Sequence, residues 1–353
     1  MRRIVAIIVL ALLAFLVLAY YVFFVPYSAF GMKTYVDVPH GMHTRQLARR
    51  LAAAGVVRNQ WLFLAARALR PGPTLKAGEY LFTGPETPWQ VLGRIARGDV
   101  FLLSITVPEG ENMFDIAWRL ESAGIASREQ FLAAARDPAL IRDLDPKAPS
   151  LEGYLFPDTY RFSRHVTARQ LAKMMTDRFR AVWRALDAPP EADVHRVVTL
   201  ASLVETEARL PGERPVVASV YANRLKLGMA LQADPTAVYA ALLENRYRGQ
   251  IFASDLSDRN PYNTYQNPGL PPGPVANPGL ASLKAALNPA DTNYLYFVAR
   301  ADGSGAHHFS TGLAEHTVAV QKYRRAVAKA EREQQAGVAR GVARGAAAGA
   351  NRR

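Results

Sequence analysis

The sequence predicts an α+β protein with three parts: an apolar N-terminal helix, a repeated strand–helix–helix–strand unit, and a larger mixed α/β domain. Three observations support this. Residues 4–25 carry no charge, the segment from Val36 is echoed 69 residues later, and helical periodicity follows over 195–208. Half of the 353 residues are hydrophobic, which is enough for two or three domains with cores of their own.

The first part is predicted to be a membrane anchor. Residues 4–25 form a helix-compatible run that would span roughly 33 Å, and a bilayer core is about 30 Å thick. The run is longer than the apolar region of a cleavable signal, and it ends in aromatic residues. Because Arg2 and Arg3 precede it, the positive-inside rule places residues 1–3 in the cytoplasm and all that follows Pro26 outside it.

Charge and cysteine content exclude several classes of function. The chain has no cysteine, so disulfides, thiol catalysis and thiolate metal sites are excluded. The net charge of +13 is uneven, because residues 322–353 hold nine Lys or Arg against two Glu. A nucleic-acid-binding protein would carry its basic residues on a folded face, so no nucleic acid is expected as a partner. Residues 329–353 are predicted to form a disordered basic tail.

An internal duplication follows the anchor. VDVPHG at 36–41 aligns with ITVPEG at 105–110, and GEYLF at 78–82 aligns with EGYLF at 152–156. Each copy predicts a strand, a turn, two helices and a second strand. This βααβ pattern resembles the LysM module, a small fold that binds the N-acetyl sugars of cell-wall glycans. We therefore predict a LysM-like module over 34–100, as a glycan binder or as a spacer. The second copy is predicted to begin the larger domain, 101–328.

A glutamate stands on the apolar side of the helix predicted over 195–208. At about 100° per residue, Glu205 falls within the apolar stripe and Glu207 falls off it. A lone carboxylate facing a core is costly when ionised, and a glutamate that stays protonated at neutral pH can serve as a general acid. The alternative is a structural ion pair with an arginine such as Arg224. Glu207 is expected to be solvated or salt-bridged.

Several motifs follow in one order. They are LEGYLFPDTY at 151–160, ASLVE at 201–205, VASVYANRL at 217–225, LQADPT at 231–236, YNTY at 262–265, GLPPGP at 269–274, NPG at 277–279 and YLYFV at 294–298. In this order they resemble the YceG-like family of membrane-anchored endolytic murein transglycosylases. The resemblance extends from the anchor to about Tyr323. It implies cleavage of the MurNAc–GlcNAc β-1,4 bond inside nascent peptidoglycan strands, which leaves 1,6-anhydro-MurNAc ends and limits strand elongation. It also implies that Glu205 is the single catalytic glutamate.

The chemistry of this reaction requires only one carboxyl group. A glycosidase needs an acid for the leaving oxygen and usually a second carboxylate as nucleophile or base. In a lytic transglycosylase the 6-hydroxyl of MurNAc attacks its own anomeric carbon, so one glutamate serves first as acid and then as base. Glu207 lies about 200° from Glu205 on the helical wheel, which favours this mechanism with one carboxylate.

Apolar periodicity predicts one further helix, and a run of prolines and glycines predicts one loop. A helix predicted over 215–227 carries Asn223 and Arg224, and either side chain could orient Glu205 or be structural. Residues 267–278 contain too many prolines and glycines for a helix or a strand, so they are predicted to form a rigid loop that lines a groove.

The motifs contain polar residues suited to binding a sugar. Gln232 and the pair Tyr262–Asn263 resemble a glutamine and a Tyr-Asn pair of the lysozyme-like transglycosylases. Amides and hydroxyls can pair with the hydroxyl and acetamido groups of a sugar. Other roles stay open: helix capping for Asp234 and an Asx-turn for Asn263. The residues expected to bind substrate or to orient Glu205 are Asn223, Arg224, Gln232, Asp234, Tyr262, Asn263 and Tyr265.

No cofactor is expected, and His307 and His308 lack a partner at metal-ligand spacing, so no metal site is predicted. The resemblance implies glycan strands, the inner membrane and the penicillin-binding proteins of the elongation machinery as partners. It also implies a single-pass protein of the inner membrane with a periplasmic catalytic domain. Two alternatives stay open: a peptidoglycan hydrolase that uses water, and a non-enzymatic wall-binding or division scaffold.

Overall fold

The computed structural model describes residues 2–329 and 332. The described residues fall into two compact units: those up to Ser104 with Arg161–His165, and Ile105–Tyr160 with those from Val166 onward. The predicted basic tail lies outside the described residues, apart from Lys329 and Arg332. The elements up to residue 97 are α1 (Arg2–Phe24), β1 (Thr34–Val38), α2 (Thr44–Ala53), α3 (Gln60–Leu69), β2 (Gly78–Phe82) and α4 (Pro88–Arg97).

The first helix matches the predicted anchor in position and length. It has 23 residues, a mean hydropathy of 2.9 over its most apolar window, and no buried residue. Within the described residues it is the one helix with the length and composition of a membrane span. The apolar helix expected over 4–25 is therefore confirmed, and it is a candidate membrane span.

The first unit contains the predicted order of strand, two helices and strand. β1 pairs antiparallel with β2, and Val36 lies opposite Tyr80. Gly55, at φ +70°, follows α2, and a Cβ there would lie 3.0 Å from the carbonyl carbon of Ala29, so the turn requires glycine. The core of the unit includes Leu47, Leu51, Phe63, Tyr80, Phe82, Leu92 and Ile95.

The second copy of the repeat departs from the prediction at its last strand. The residues predicted as a strand, 152–156, form a turn, and the strand comes later, at Thr159–Phe162. The Oδ1 of Asn277 accepts the N–H groups of Gly153 and Leu155 at 2.8 and 2.9 Å. These two donors are therefore unavailable to a partner strand, which explains the wrong prediction. The elements of this copy are β3 (Leu103–Thr106), α5 (Met113–Ser122), α6 (Arg128–Arg136) and β4 (Thr159–Phe162), with β3 paired to β4.

The rest of the second unit is built around α8. All residues from Val197 to Val204 are buried, and the helix packs against α9, α10 and α12. The helices predicted over 195–208 and 215–227 are confirmed as α8 and α9, within two residues. The remaining elements are α7 (Ala168–Ala185), α8 (Val194–Glu207), α9 (Arg214–Lys226), α10 (Asp234–Leu243), α11 (Ala253–Leu256), α12 (Leu280–Leu287), β5 (Tyr296–Ala299), β6 (His307–Ser310) and a helix over 313–329.

Candidate active site

The carboxylate of Glu205 is buried and fully partnered. Its side chain is 5% exposed. Oε1 accepts from Nη2 of Arg214 at 3.0 Å, and Oε2 accepts the N–H of Gly279 at 2.9 Å. Gly279 is the N-cap of α12, so the carboxylate lies at the N-terminus of a helix, where negative charge is stabilised. Burial was expected, but the expected lone carboxylate is wrong, and the cation beside it is Arg214 instead of Arg224.

A second carboxylate approaches the same arginine. Oε2 of Glu109 lies 4.0 Å from Nη2 of Arg214, and the Glu109 side chain is 50% exposed. Partial burial and the nearby Glu205 raise the pKa of Glu109. A Cβ on Gly279 would lie 1.9 Å from Oε1 of Glu109, so a side chain there would displace the Glu109 carboxylate. These residues form an ion-pair cluster that ties the last turn of α8 to the start of α12.

Glu207, the last residue of α8, has a different environment. It is partly buried, it forms a hydrogen bond with Tyr221, and Asp234 lies nearby. Burial, and then the charge of Asp234, raise the pKa of Glu207 to about 7. The carbonyl end of α8 also disfavours the negative charge. No Lys or Arg of residues 2–329 forms an ion pair with it, so the expectation of a solvated or salt-bridged Glu207 is wrong.

Glu207 and Asp234 line two cavities. One, of about 320 Å³, is also bounded by Gly110, Asn112 and Tyr239. The other, of about 450 Å³, is also lined by Tyr221, Arg224, Gln232, Tyr265, His307 and His316. A carboxyl group that titrates near neutrality, in a cleft rich in hydroxyl and amide groups, is a candidate general acid.

Asp234 is the first residue of α10 and is followed by Pro235. The N-cap is Ala233, and no side-chain cap bond is formed, so the capping alternative for Asp234 is not realised. Its Oδ1 instead accepts from the hydroxyl of Tyr265 at 2.5 Å. Of the two predicted tyrosines, Tyr265 reaches a carboxylate, and that carboxylate is Asp234 instead of Glu205.

Gln232 has a left-handed backbone, with φ +51°. This conformation is uncommon for a residue with a side chain. The N–H of Gln232 donates to the carbonyl of Thr264 at 3.2 Å, and the N–H of Ala233 donates to the Thr264 hydroxyl at 3.0 Å. These bonds hold the strained segment in place while the Gln232 side chain is exposed to the larger cavity.

Tyr262 and Asn263 have other partners. The Nδ2 of Asn263 donates to the carbonyls of Asp255 and Asp258 at 3.1 and 2.6 Å, and its Oδ1 accepts the N–H of Tyr265 at 3.1 Å. Asn263 is fully buried, and this geometry is the Asx-turn that the sequence left open. The Tyr262 ring packs on Tyr239 at 5.0 Å, and burial raises the pKa of Tyr262 to about 12.

Asn223 and Arg224 do not contact Glu205. The Nδ2 of Asn223 donates to the carbonyls of Thr292 and Tyr294 at 2.7 and 3.1 Å. Arg224 donates through Nε to the carbonyl of Leu295 at 2.6 Å. Asn223 therefore tethers the chain before β5, whereas Arg224 also lines the larger cavity.

The proline-rich segment 267–278 is irregular, as predicted, and is fixed at several points. Val275 and Ala276 line the smaller cavity. The N–H of Val275 donates to Oγ of Ser202 at 3.1 Å, and the carbonyl of Pro272 lies 3.0 Å from Nε2 of His195. Side chains of α8 therefore hold this wall of the cleft.

Glu152 is a functional-looking residue that the sequence reasoning missed. It is 1% exposed, and its oxygens accept from the N–H of Met113 at 2.9 Å and from Nδ2 of Asn277 at 2.8 Å. Burial raises the pKa of Glu152 to about 8, and Tyr239 forms a hydrogen bond with it. The available signal was a carboxylate inside an apolar run, between Leu151 and Leu155. Glu152 supports the wall of the cleft and does not line it.

Comparisons with known proteins agree with the motifs. The model of the YceG-like family matches residues 36–322. The endolytic murein transglycosylase of Bacillus subtilis is 32% identical over 307 residues, covering 82% of this chain and 84% of that protein. The protein of the same name from Streptococcus pneumoniae is 29% identical over 295 residues, covering 75% of this chain. The chain spans about half the length of this streptococcal relative, 54%.

A solved structure is also similar. The crystal structure of a YceG-like protein from Listeria monocytogenes aligns with a TM-score of 0.54 and 31% sequence identity. The alignment covers 81% of this chain and 98% of that one. Since the family model matches most of the chain and these relatives align along most of its length, the chain belongs to the YceG-like family.

Proposed function

We propose that the chain is an endolytic lytic transglycosylase of peptidoglycan and that Glu207 is its general acid. The observation that supports this is the position of Glu207 in a cleft, with a pKa of about 7. An acid is most effective when its pKa lies near the working pH. The names of the B. subtilis and S. pneumoniae relatives supply the reaction class and the substrate.

In the proposed reaction, Glu207 protonates the oxygen that joins C1 of MurNAc to GlcNAc. The C1–O bond breaks, and the departing GlcNAc carries the proton away as a hydroxyl group. The 6-hydroxyl of the same MurNAc attacks C1, and its proton passes to the Glu207 carboxylate. The new C1–O6 bond closes the 1,6-anhydro ring. The acid is restored and no water is consumed.

The resemblance implied Glu205 as the catalytic residue, and the geometry supports Glu207 better. Both oxygens of Glu205 are engaged, by Arg214 and by Gly279. Glu205 also lines neither of the two cavities, whereas Glu207 lines both. We therefore assign Glu205 a positioning role: it joins α8 to α12 and so sets the direction in which Glu207 projects.

One observation favours the hydrolase alternative. Asp234 lines both cavities beside Glu207 and could act as a base for water. A hydrolase would leave reducing ends, whereas a transglycosylase leaves anhydro ends, so the product decides between them.

The other parts of the chain have proposed roles that follow from the resemblance. α1 is an inner-membrane anchor that leaves residues 1–3 in the cytoplasm and the rest in the periplasm. Residues 34–100 form a LysM-like module, and residues 101–328 form the catalytic domain. The anchor keeps the cleft near newly made strands, where cleavage limits their elongation, beside the penicillin-binding proteins.

The test is digestion of purified peptidoglycan by the full chain in detergent, with the products read by mass spectrometry. The Glu207→Gln and Glu205→Gln variants are compared with Glu129→Gln, which changes an exposed glutamate of α6. We expect anhydro-muramyl ends from the parent and from Glu129→Gln, and none from Glu207→Gln. Reducing ends would establish a hydrolase. If Glu207→Gln keeps full activity and a folded Glu205→Gln loses all activity, the general acid is Glu205 and not Glu207.

A further inference from the structure

We propose that the larger cavity beside Glu207 binds a carboxylate of the acidic peptide carried by muramic acid, through Arg224 and His316. This inference rests on the proposed function, because it names a further part of the same substrate. It assigns a recognition role to two residues that line this cavity together with Glu207.

Arg224 is a buried cation that has no counter-ion among residues 2–329. The residue is 9% exposed. Its Nε donates to the carbonyl of Leu295 at 2.6 Å, and its Nη1 donates to those of Ala230 and Leu231 at 3.1 and 2.9 Å. Within the described part of the chain, Nη2 has no hydrogen bond and no carboxylate forms an ion pair with Arg224. Burial lowers the pKa of Arg224, as expected for an uncompensated guanidinium.

His316 brings a second unpaired group to the same place. Its Nδ1 is buried and has no hydrogen-bond partner among the described residues. The His316 ring stacks on Tyr296 at a centroid distance of 5.0 Å, and the Arg224 guanidinium lies 5.0 Å from the centroid of the same ring. Arg224 also lowers the pKa of His316, after burial. The two side chains therefore meet at one aromatic ring and both line the larger cavity.

The other ionisable groups of the cavity leave the Arg224 charge unbalanced. Asp234 is engaged by the Tyr265 hydroxyl at 2.5 Å. His307 is held by Oε2 of Glu213 at 2.7 Å, and Glu207 titrates near pH 7. None of these groups pairs with Arg224, so a carboxylate from outside would be the first to neutralise it.

The backbone next to Arg224 is strained at the same cavity. The carbonyls of Ala230 and Leu231, which Arg224 binds, directly precede Gln232 with its φ of +51°. Residues held in sparsely populated conformations cluster at ligand sites. The exposed amide of Gln232, Nη2 of Arg224 and the His316 ring line the same cavity.

The chemistry of these groups selects a carboxylate on a flexible chain. The remaining N–H groups of a guanidinium, here those of Nη2, form charge-assisted hydrogen bonds with an oxyanion such as a carboxylate. Phe297, Val298, Ala299 and Val320 supply apolar surface on the same wall, which suits the alkyl parts of a peptide. In the proposed reaction Glu207 acts at C1 of MurNAc, and the peptide leaves that same sugar ring through its lactyl group. The peptide therefore lies within one sugar ring of the acid.

The test compares two small ligands that differ in charge: MurNAc-L-Ala-D-glutamate, whose glutamate carries two carboxylates, and its diamide, in which both are carboxamides. Their binding to the full chain in detergent is measured by titration calorimetry. We expect the carboxylate ligand to bind the parent at least about tenfold more tightly. The ratio should fall towards one in Arg224→Gln and in His316→Phe, which keeps the stacked ring. Lys226→Gln, which changes an exposed cation of the same helix, should keep the parent ratio.

Equal binding of the two ligands by the parent, or no binding of either, would overturn the proposal. Because the comparison changes the ligand, this outcome does not depend on the folding of any variant. The ligands contain no glycosidic bond to cleave. If the protein binds the carboxylate ligand selectively but produces no anhydro ends from peptidoglycan, the proposed reaction is contradicted and this site is not. If the protein produces anhydro ends but binds both ligands equally, only this site is contradicted.

Discussion

Glu205 and Glu207 lie two residues apart on α8, and their surroundings differ in charge. Glu205 has Arg214 at 3.0 Å and the N-terminus of α12 at 2.9 Å. Glu207 has Tyr221 and the like charge of Asp234, and its pKa rises to about 7. Both carboxyl groups are sheltered from water. Burial raises the pKa of Glu207 most and the like charge of Asp234 adds to it, whereas the charge nearest to Glu205 is a cation.

The largest expected effect is the loss of catalysis in Glu207→Gln. We expect the rate of anhydro-end formation to fall by about 10²–10⁴-fold, because the amide cannot protonate the leaving oxygen. The rate is measured on soluble glycan strands at pH 6, with the fold checked by circular dichroism. A folded variant with more than one-tenth of the parent rate would show that Glu207 is not the general acid.

The next effect is the loss of stability in Glu205→Gln. Removing this carboxylate leaves Arg214, whose side chain is 10% exposed, with the Ser282 hydroxyl at 3.0 Å and Glu109 at 4.0 Å as its nearest carboxylate among the described residues. We expect the free energy of unfolding to fall by about 3 kcal/mol, as when one partner of a buried ion pair is removed. Denaturant titration measures it. The double change Glu205→Met with Arg214→Met should recover part of the loss, and a cost below about 1 kcal/mol would show that the pair is not structural.

Glu207→Gln should change stability in the opposite direction. A carboxyl group with a raised pKa contributes stability that is present below its unfolded pKa and lost as the pH rises through about 7. The amide of the variant cannot ionise and avoids this loss. The variant should therefore be more stable than the parent at pH 8, by about 1–3 kcal/mol, and should match it at pH 4. Melting temperatures across this range measure the difference, and a variant that is less stable at pH 8 would refute the expectation.

The smallest effect concerns the pH profile. Activity should decline as the pH rises through about 7, because Glu207 loses its proton. The charge of Asp234 raises the pKa of Glu207, so Asp234→Asn should move this decline to lower pH, by less than about one unit. Asp291→Asn removes an exposed carboxylate of the same unit and serves as the control. A shift to higher pH, or an equal shift in the control, would exclude a direct influence of Asp234.

Much of the local structure follows from the sequence. An uncharged run predicts α1, and apolar periodicity predicts α8 and α9 within two residues. The Asx-turn at Asn263 follows from the preference of asparagine for such turns. These features depend on neighbours in the chain, so their causes can be read from a short window. The strand predicted at 152–156 fails because Asn277, more than 120 residues later, accepts its N–H groups.

The two glutamates show where such a window stops. The helical wheel assumes one buried face, whereas all residues from Val197 to Val204 are buried, so position on the wheel does not separate Glu205 from Glu207. The partners come from other elements: Arg214 follows a turn, Gly279 begins α12, and Asp234 begins α10. The apolar periodicity of α8 cannot predict these partners, because they lie outside the helix.

The sequence by itself determined the apolar helix, the repeated unit, the helix that carries both glutamates, and the family, because these depend on periodicity and on ordered motifs. Only the tertiary structure decided which carboxylate is neutralised by a cation and which is left beside another acid. The physical reason is that the pKa of a buried group depends on the charges within a few ångströms of it, and those charges come from residues distant in the chain.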